Sequence, residues 1–443
     1  MQSEHLPSWC PESSEVFAFT NRRLDLATGT ITLDYRLDGI ALQERFVLPG
    51  APLEPLASAS AIEAGLDLLH WLAAISYWKA GCPVRLELEQ RLPDQDQAAM
   101  LERWYRLGLA EFAYRNRLPR RHWPTWPCVE AGNRTATPAG LERHCLVPMG
   151  GGKDSLVAVE RLLSLGLPVT TCQVGNASRI LAVAERVGCP HRVIQRHLDP
   201  KLVALNRAGA WNGHVPVTAI NAAVLVLAAL VYGHGRVVFA NERSADQPTL
   251  VDDRHGAVNH QFSKSLDFET DFGSWVRTHV AADLEVFSLL RRDRELAICA
   301  EFAGLTRYHE VFSSCNRNFH LEGPRTERWC GACPKCHFVF LALAPFVSRR
   351  QLLEIFGSDL LADPAQTDGF ASLLAIDGEK PFECVGEAAE ARAAIMALAE
   401  SDEWKSCPAV SELAARVRPL APPTLDELCQ PGGPHRIPPE LVS

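Results

Sequence analysis

Residues 148–155 read Pro148-Met149-Gly150-Gly151-Gly152-Lys153-Asp154-Ser155, and the fold turns on them. They lie between a short apolar run, 144–149, and a run with helical spacing, 154–165, so they join a strand to a helix. Three successive glycines permit positive φ and let a ligand come close to the backbone. The free N–H groups of the following helix present the positive end of its dipole to that ligand. Ser155 adds a hydroxyl donor and Lys153 a cation. The spacing is neither the Walker pattern nor Gly-x-Gly-x-x-Gly. A plain Gly-rich turn with an Asp or Ser cap is the bland alternative, and the run Gly-Gly-Gly-Lys-Asp-Ser in this context argues against it.

Outward from the loop the same alternation continues. Strands over 168–174, 191–196 and 236–240 alternate with helices over 178–187 and 215–232. This predicts an α/β fold, a parallel sheet with helices on both faces. Ahead of it, 15–26 and 29–39 read as paired strands joined through Ala27-Thr28-Gly29, and 41–50 as a third. Helices follow over 56–80 and 96–116. The expected division is an N-terminal α+β domain at 1–118, a linker or ordered loop at 119–143 broken by Pro119, Pro124, Pro127 and Pro138, and an α/β domain at 144–348. A small helical C-terminal region completes it at 349–443, with a Pro-rich tail expected to be loosely held.

Composition narrows the function. With 443 residues and a net charge of −9, the chain is a poor binder of nucleic acid, which favours excess Lys and Arg. The longest apolar run, 222–232, is too short to span a bilayer and reads as a buried helix. The first residues show no secretory pattern, so a cytoplasmic setting with reduced thiols is expected. Of the 14 cysteines, Cys315, Cys330, Cys333 and Cys336 cluster, with Gly331 and Pro334 as turn residues between them. Four thiolates suit tetrahedral, structural Zn²⁺, although Cys-x2-Cys-x2-Cys also occurs in iron–sulfur proteins. The other ten read as small packing residues. His214, His260 and Lys264 stand in polar contexts and are candidate proton-transfer groups, a satisfied loop residue being the alternative for each. His70 reads as a packed core residue. A locally basic stretch (Arg103, Arg106, Arg115, Arg117, Arg120, Arg121, Arg134 and Arg143) suits either a solvated face or a diphosphate-bearing substrate.

The loop GGGKDS resembles the pyrophosphate loop of the ATP pyrophosphatase superfamily, Ser-Gly-Gly-x-Asp-Ser, with Gly150 in place of the serine. CQVGN (172–176), NGHVPVTAINAA (212–223) and FANERSAD (239–246) are similar to its later segments. The resemblance implies an adenine nucleotide alpha hydrolase-like fold and ATP cleavage to AMP and pyrophosphate. It places ATP on Gly150, Gly151, Gly152, Lys153, Asp154 and Ser155, and adenosine beside Val174 and Gly175. Asn241, Glu242 and Asp246 fall at the carboxyl edge of the sheet, though each taken singly also reads as a solvated loop residue. Deazaguanine nitrile synthases of that superfamily carry a similar zinc cluster. FAFTNRRLDLATGTITLDYRLDG (17–39), ERFVLPG (44–50) and LDLLHWLAAISYWKA (66–80) point further. With GAWNGHVPVTAI (209–220), VNHQFSKSLDFE (258–269) and CGACPKCHFVFLALAPF (330–346), they resemble the UDP-N-acetylmuramoyl-L-alanyl-L-glutamate epimerase family (MurL-type), over about 16–346. That family inverts the terminal L-Glu of a UDP-MurNAc dipeptide with ATP and Mg²⁺, so the implied partner is this small molecule, with no nucleic acid and no membrane. The alternatives are another adenylating enzyme of the superfamily and a non-catalytic ATP-binding regulator. A regulator would tolerate loss of Lys153 and Asp154, and both are present.

Overall fold

The computed structural model describes residues 9–119, 123–130, 135–254, 256–319, 328–376, 378 and 380–442. Its strands are β1 (Val16–Asp25), β2 (Thr30–Leu37), β3 (Ile40–Val47), β4 (Arg85–Leu88), β5 (Glu142–Pro148), β6 (Val169–Val174), β7 (His191–His197), β8 (His234–Phe239), β9 (Leu250–Asp252), β10 (Gly256–Val258) and β11 (Glu285–Ser288). Among the described residues nine of them form one sheet, ordered β11-β8-β5-β6-β7-β3-β2-β1-β4, and β9–β10 form a hairpin. The five strands from β11 to β7 are mutually parallel and β1–β2–β3 is an antiparallel meander. The chain is thus α/β, with a central, mostly parallel sheet flanked by helices.

Helix Val217–Tyr232 is apolar around most of its circumference because it is covered on both sides. It packs between the sheet and helix Ala59–Ala73, and the approach is close enough that a Cβ on Gly65 would stand 3.1 Å from Leu230 Cδ1. Its end is set by Gly233 at φ +77. The helix expected over 56–80 is divided into Ala59–Ala73 and Ile75–Trp78.

Two expectations about organisation need correction. The N-terminal segment is not a separate body: β3 pairs antiparallel with β7 through Arg45–His197 and Val47–Gln195, which covers what would otherwise be an open edge. Of the two readings of 119–143, the described part agrees with the ordered loop. Trp126 is 2% exposed and packs on Phe19, Trp71 and Tyr105, because a large apolar ring gains by entering the core. The Pro-rich tail is also held. Ile437 and Leu441 are buried, and Glu440 accepts from the Arg236 guanidinium, 2.5 Å away. No described helix is long and apolar enough to cross a membrane.

Candidate active site

β5 has β6 on one side and β8 on the other, so the chain reverses its direction of winding there. A crevice forms at the carboxyl ends of strands at such a point. The observed cleft, of about 330 Å³, is lined by Gly150, Gly152, Asp154 and Ser155, by Asn241 and Glu242 after β8, and by Thr218 and Asn221 of helix Val217–Tyr232. Lys264, Ser314, Asn316, Lys335 and Cys384 complete it.

Helix Lys153–Ser164 begins at Gly152 with no side-chain cap, so its first N–H groups are left for a ligand. The three glycines have different reasons. Gly151 has φ +80 and its carbonyl accepts from the Ser313 N–H at 2.9 Å. A Cβ on Gly152 would stand 2.5 Å from Ser314 Oγ, whereas one on Gly150 would meet nothing within 4 Å. Ser155 donates to the Gly152 carbonyl at 3.2 Å. Lys153, only 1% exposed, is held between the carboxylates of Asp154 and Glu295 and does not line the cleft. The cations that do are Lys264 and Lys335. Burial, reinforced by Glu295 and Asp154, pushes Glu242 up to about 7. Asn241 donates to Ser288 Oγ at 3.1 Å. Arg291, fully buried, ties these loops together by donating to the carbonyls of Glu242 at 2.8 Å and Lys264 at 2.6 Å.

Other expected residues stand apart from the cleft lining. Val174 ends β6, the neighbouring strand, and Gly175 follows it at φ +98. Asp246 accepts from the Leu266 N–H at 2.6 Å. His214 and His260 lie ring to ring, 4.6 Å apart, against one carboxylate, Glu111. Burial takes His214 down to about 4. His260 resists the same burial, and Cys384 and Glu111 raise it to about 9. Of the basic stretch, Arg103 is paired with Asp267 and Asp271 and Arg115 with Glu111, while Arg120, Arg121 and Arg134 lie outside the described residues.

The sulfurs of Cys315, Cys330, Cys333 and Cys336 all lie within 4.8 Å of one another. Cys333 and Cys336 are 3.4 Å apart, and Cys330 and Cys336 3.7 Å. Four thiolates about 2.3 Å from a zinc ion have nearly that separation. Two of these cysteines adjoin cleft residues: Ser314 precedes Cys315 and Lys335 precedes Cys336.

A glycine loop opening on a cleft at the switch point of a mostly parallel sheet marks the chain as an α/β protein. Two family profiles match the chain, the MurL N-terminal domain over residues 9–289 and the MurL C-terminal domain over residues 311–427. The chain belongs to the MurL family. It is 47% identical over 431 residues to the UDP-N-acetyl-alpha-D-muramoyl-L-alanyl-L-glutamate epimerase of Xanthomonas oryzae pv. oryzae, covering 96% of this chain and 95% of that one. The proteins of the same name from Micromonospora sp. and Salinispora tropica are 43% and 41% identical, over 96% of this chain and 96% and 94% of theirs.

Proposed function

We propose that this chain inverts the α-carbon of the terminal glutamate of UDP-MurNAc-L-Ala-L-Glu, giving the D-Glu epimer, with cleavage of ATP to AMP and pyrophosphate. The stereochemical half of this reading rests on full-length kinship with curated epimerases. The nucleotide half rests on one observation, the uncapped helix start and the open space at Gly150 facing the same cleft as two lysines. The loop and sheet suit an adenine nucleotide alpha hydrolase-like arrangement.

The chemistry explains why an epimerase should carry such a loop. A proton on the carbon beside a carboxylate is hard to remove, because a second negative charge would build on the first. When ATP is bound, attack of the carboxylate oxygen on its α-phosphorus, with pyrophosphate leaving, removes that charge; after inversion, water would cleave the mixed anhydride to AMP and the free carboxylate. The chain's own groups then do the rest. The N–H groups at Gly152–Ser155, with Lys264 and Lys335, hold phosphate oxygens. Asp154 and Glu242 would hold Mg²⁺ against them. Donors fixed at the cleft, Asn241 among them, stabilise charge developing at the carbonyl. The four-cysteine site would hold Zn²⁺ as a structural ion and so fix Ser314 and Lys335.

The test is direct. Purified chain, ATP, Mg²⁺ and UDP-MurNAc-L-Ala-L-Glu should yield D-Glu on hydrolysis and chiral analysis, with AMP and pyrophosphate formed alongside. In D₂O the product should carry deuterium at the α-carbon. D-Glu formed without ATP, or release of ADP and phosphate, would overturn the nucleotide half. AMP formed with the stereocentre untouched would overturn the epimerase half.

A further inference from the structure

Cys384 is, among the described residues, the only cysteine lining the cleft. It comes from the segment after helix Thr367–Leu373, far in sequence from the glycine loop. Gly386 lets this segment lie against helix Pro334–Leu343, since a Cβ there would overlap the Phe338 ring. Lys335 fastens it by donating to the Cys384 carbonyl. The sulfur is half-buried and closely surrounded. Lys264 Nζ donates to it at 3.4 Å, and the His260 ring, whose Nδ1 is held by Glu111, lies near enough to favour the thiolate. The order sulfur–imidazole–carboxylate is that of an activated thiol. The nine other cysteines outside the four-cysteine cluster have no such setting.

We propose that Cys384 is a proton-transfer group of the epimerisation, acting as a thiolate on one face of the glutamate α-carbon. The inference rests on the epimerase reading above and assigns its base. The sulfur takes the α-proton: the C–H bond breaks, an S–H bond forms, and the electron pair moves into the enolate of the activated carboxyl group. A water-derived proton delivered from the opposite face makes the new C–H bond, and the S–H proton then passes to water, so that no net proton is gained or lost. In the reverse direction the same S–H donates. Lys264 and the Glu111-held His260 are positioning residues that keep the sulfur ionised.

The surroundings fit a base working near neutrality. Burial alone would push the thiol up, but Lys264, His260 and Lys335 outweigh it and bring Cys384 down to about 6. Lys380 and Glu383 of its own segment also face it. A group titrating there is ionised at pH 7 and still able to give its proton back.

The experiment separates activation from proton transfer. Cys384→Ala in the full chain should retain dipeptide-dependent ATP–pyrophosphate exchange. Its uptake of solvent deuterium at the α-carbon should fall about a hundredfold or more. In wild type the deuterium-uptake rate should fall off on the acid side near pH 6, and in Cys384→Ser this limb should move or vanish. If wild type shows no pyrophosphate exchange, the ATP reading has failed and not this one. Loss of both partial reactions in Cys384→Ala, or full deuterium uptake by it, overturns the assignment. So does a thioester trapped on Cys384, which would make the sulfur a nucleophile. Should the variants not fold, iodoacetamide on wild type serves instead. Alkylation at Cys384 should rise with a midpoint near pH 6, be blocked by ATP with the dipeptide, and abolish deuterium uptake while leaving pyrophosphate exchange. A midpoint where an ordinary thiol titrates, about 8.5, overturns it.

Discussion

Gly150 differs from its two neighbours in needing neither positive φ nor close packing, since a Cβ there meets only open cleft. The superfamily pattern that the loop resembles has serine at that place. Gly150→Ser should therefore leave the melting temperature unchanged and lower the KM for ATP several-fold, through one added hydrogen bond to a charged group. An unchanged KM would remove the phosphate from this side of the loop. Lys153 calls for the opposite expectation. In sequence it looks like the phosphate cation, yet it lies buried between Asp154 and Glu295, which is itself 2% exposed. Lys153→Met strands a buried carboxylate and should cost about 3–5 kcal/mol in a denaturant titration. A wild-type midpoint with lost turnover would return Lys153 to the phosphates. The loop glycines, Asp154, Ser155, Asn241 and Glu242 were legible because each sits where a strand-to-helix or strand-to-loop transition can be read locally, whereas Lys264 drew notice only as a polar neighbour of His260. Cys384, Lys335 and Arg291 were not legible. Their roles depend on contacts such as Lys264 with Cys384, 120 residues apart, and no periodicity encodes such a distance.

Among the elements, the long strands and helices could be read with their ends displaced by a few residues, since alternation in β1 and β2 and helical spacing in 178–187 are local signals. The β9–β10 hairpin escaped because three-residue strands carry too little pattern. The cysteine cluster was legible from spacing, but its placement beside the cleft was not. That placement makes it more than a staple for the C-terminal helices. With Cys315 next to Ser314 and Cys336 next to Lys335, loss of a bound ion would release two cleft residues together. Elemental analysis of freshly purified protein should find about one zinc per chain. Cys333→Ser should give poorly soluble protein, because losing a structural metal removes folding free energy. Mild chelation that strips the metal should abolish turnover together with a change in tryptophan fluorescence, since Trp329 adjoins Cys330 and packs on Phe312 and Phe356. Iron in place of zinc would change the metal and keep the site. No metal would remove both.

Over the whole molecule, the sheet runs through what reads in sequence as two domains, and the join at β3–β7 carries a buried ion pair. Arg196 Nε donates to Glu44 Oε1 at 2.6 Å, with Glu44 fully buried. Neither half announces this join, since each strand taken alone reads as an ordinary edge. The N-terminal half thus contributes its buried groups to the stability of the part that holds the cleft. His70 is the clearest of them. It is 1% exposed, stacked on Tyr35 at 4.8 Å, and its Nε2 meets the Asp34 carbonyl at 3.1 Å. Burial holds it down to about 3, so between about pH 6.5 and 3 it is neutral in the folded chain while the unfolded chain binds a proton. Its stabilising contribution is complete above that pH and is lost as the pH falls toward 3. Glu242 and Glu390, each pushed up to about 7 by burial, act in the opposite sense between about pH 7 and 4.5, because there the folded chain binds the extra protons. The wild-type slope therefore mixes both signs, and a variant is needed to separate them. Denaturant titrations at pH 7.5 and pH 5 should show wild type losing about 2 kcal/mol more than His70→Gln over that interval. Parallel losses in the two proteins would mean that His70 is not the group that makes the fold acid-sensitive.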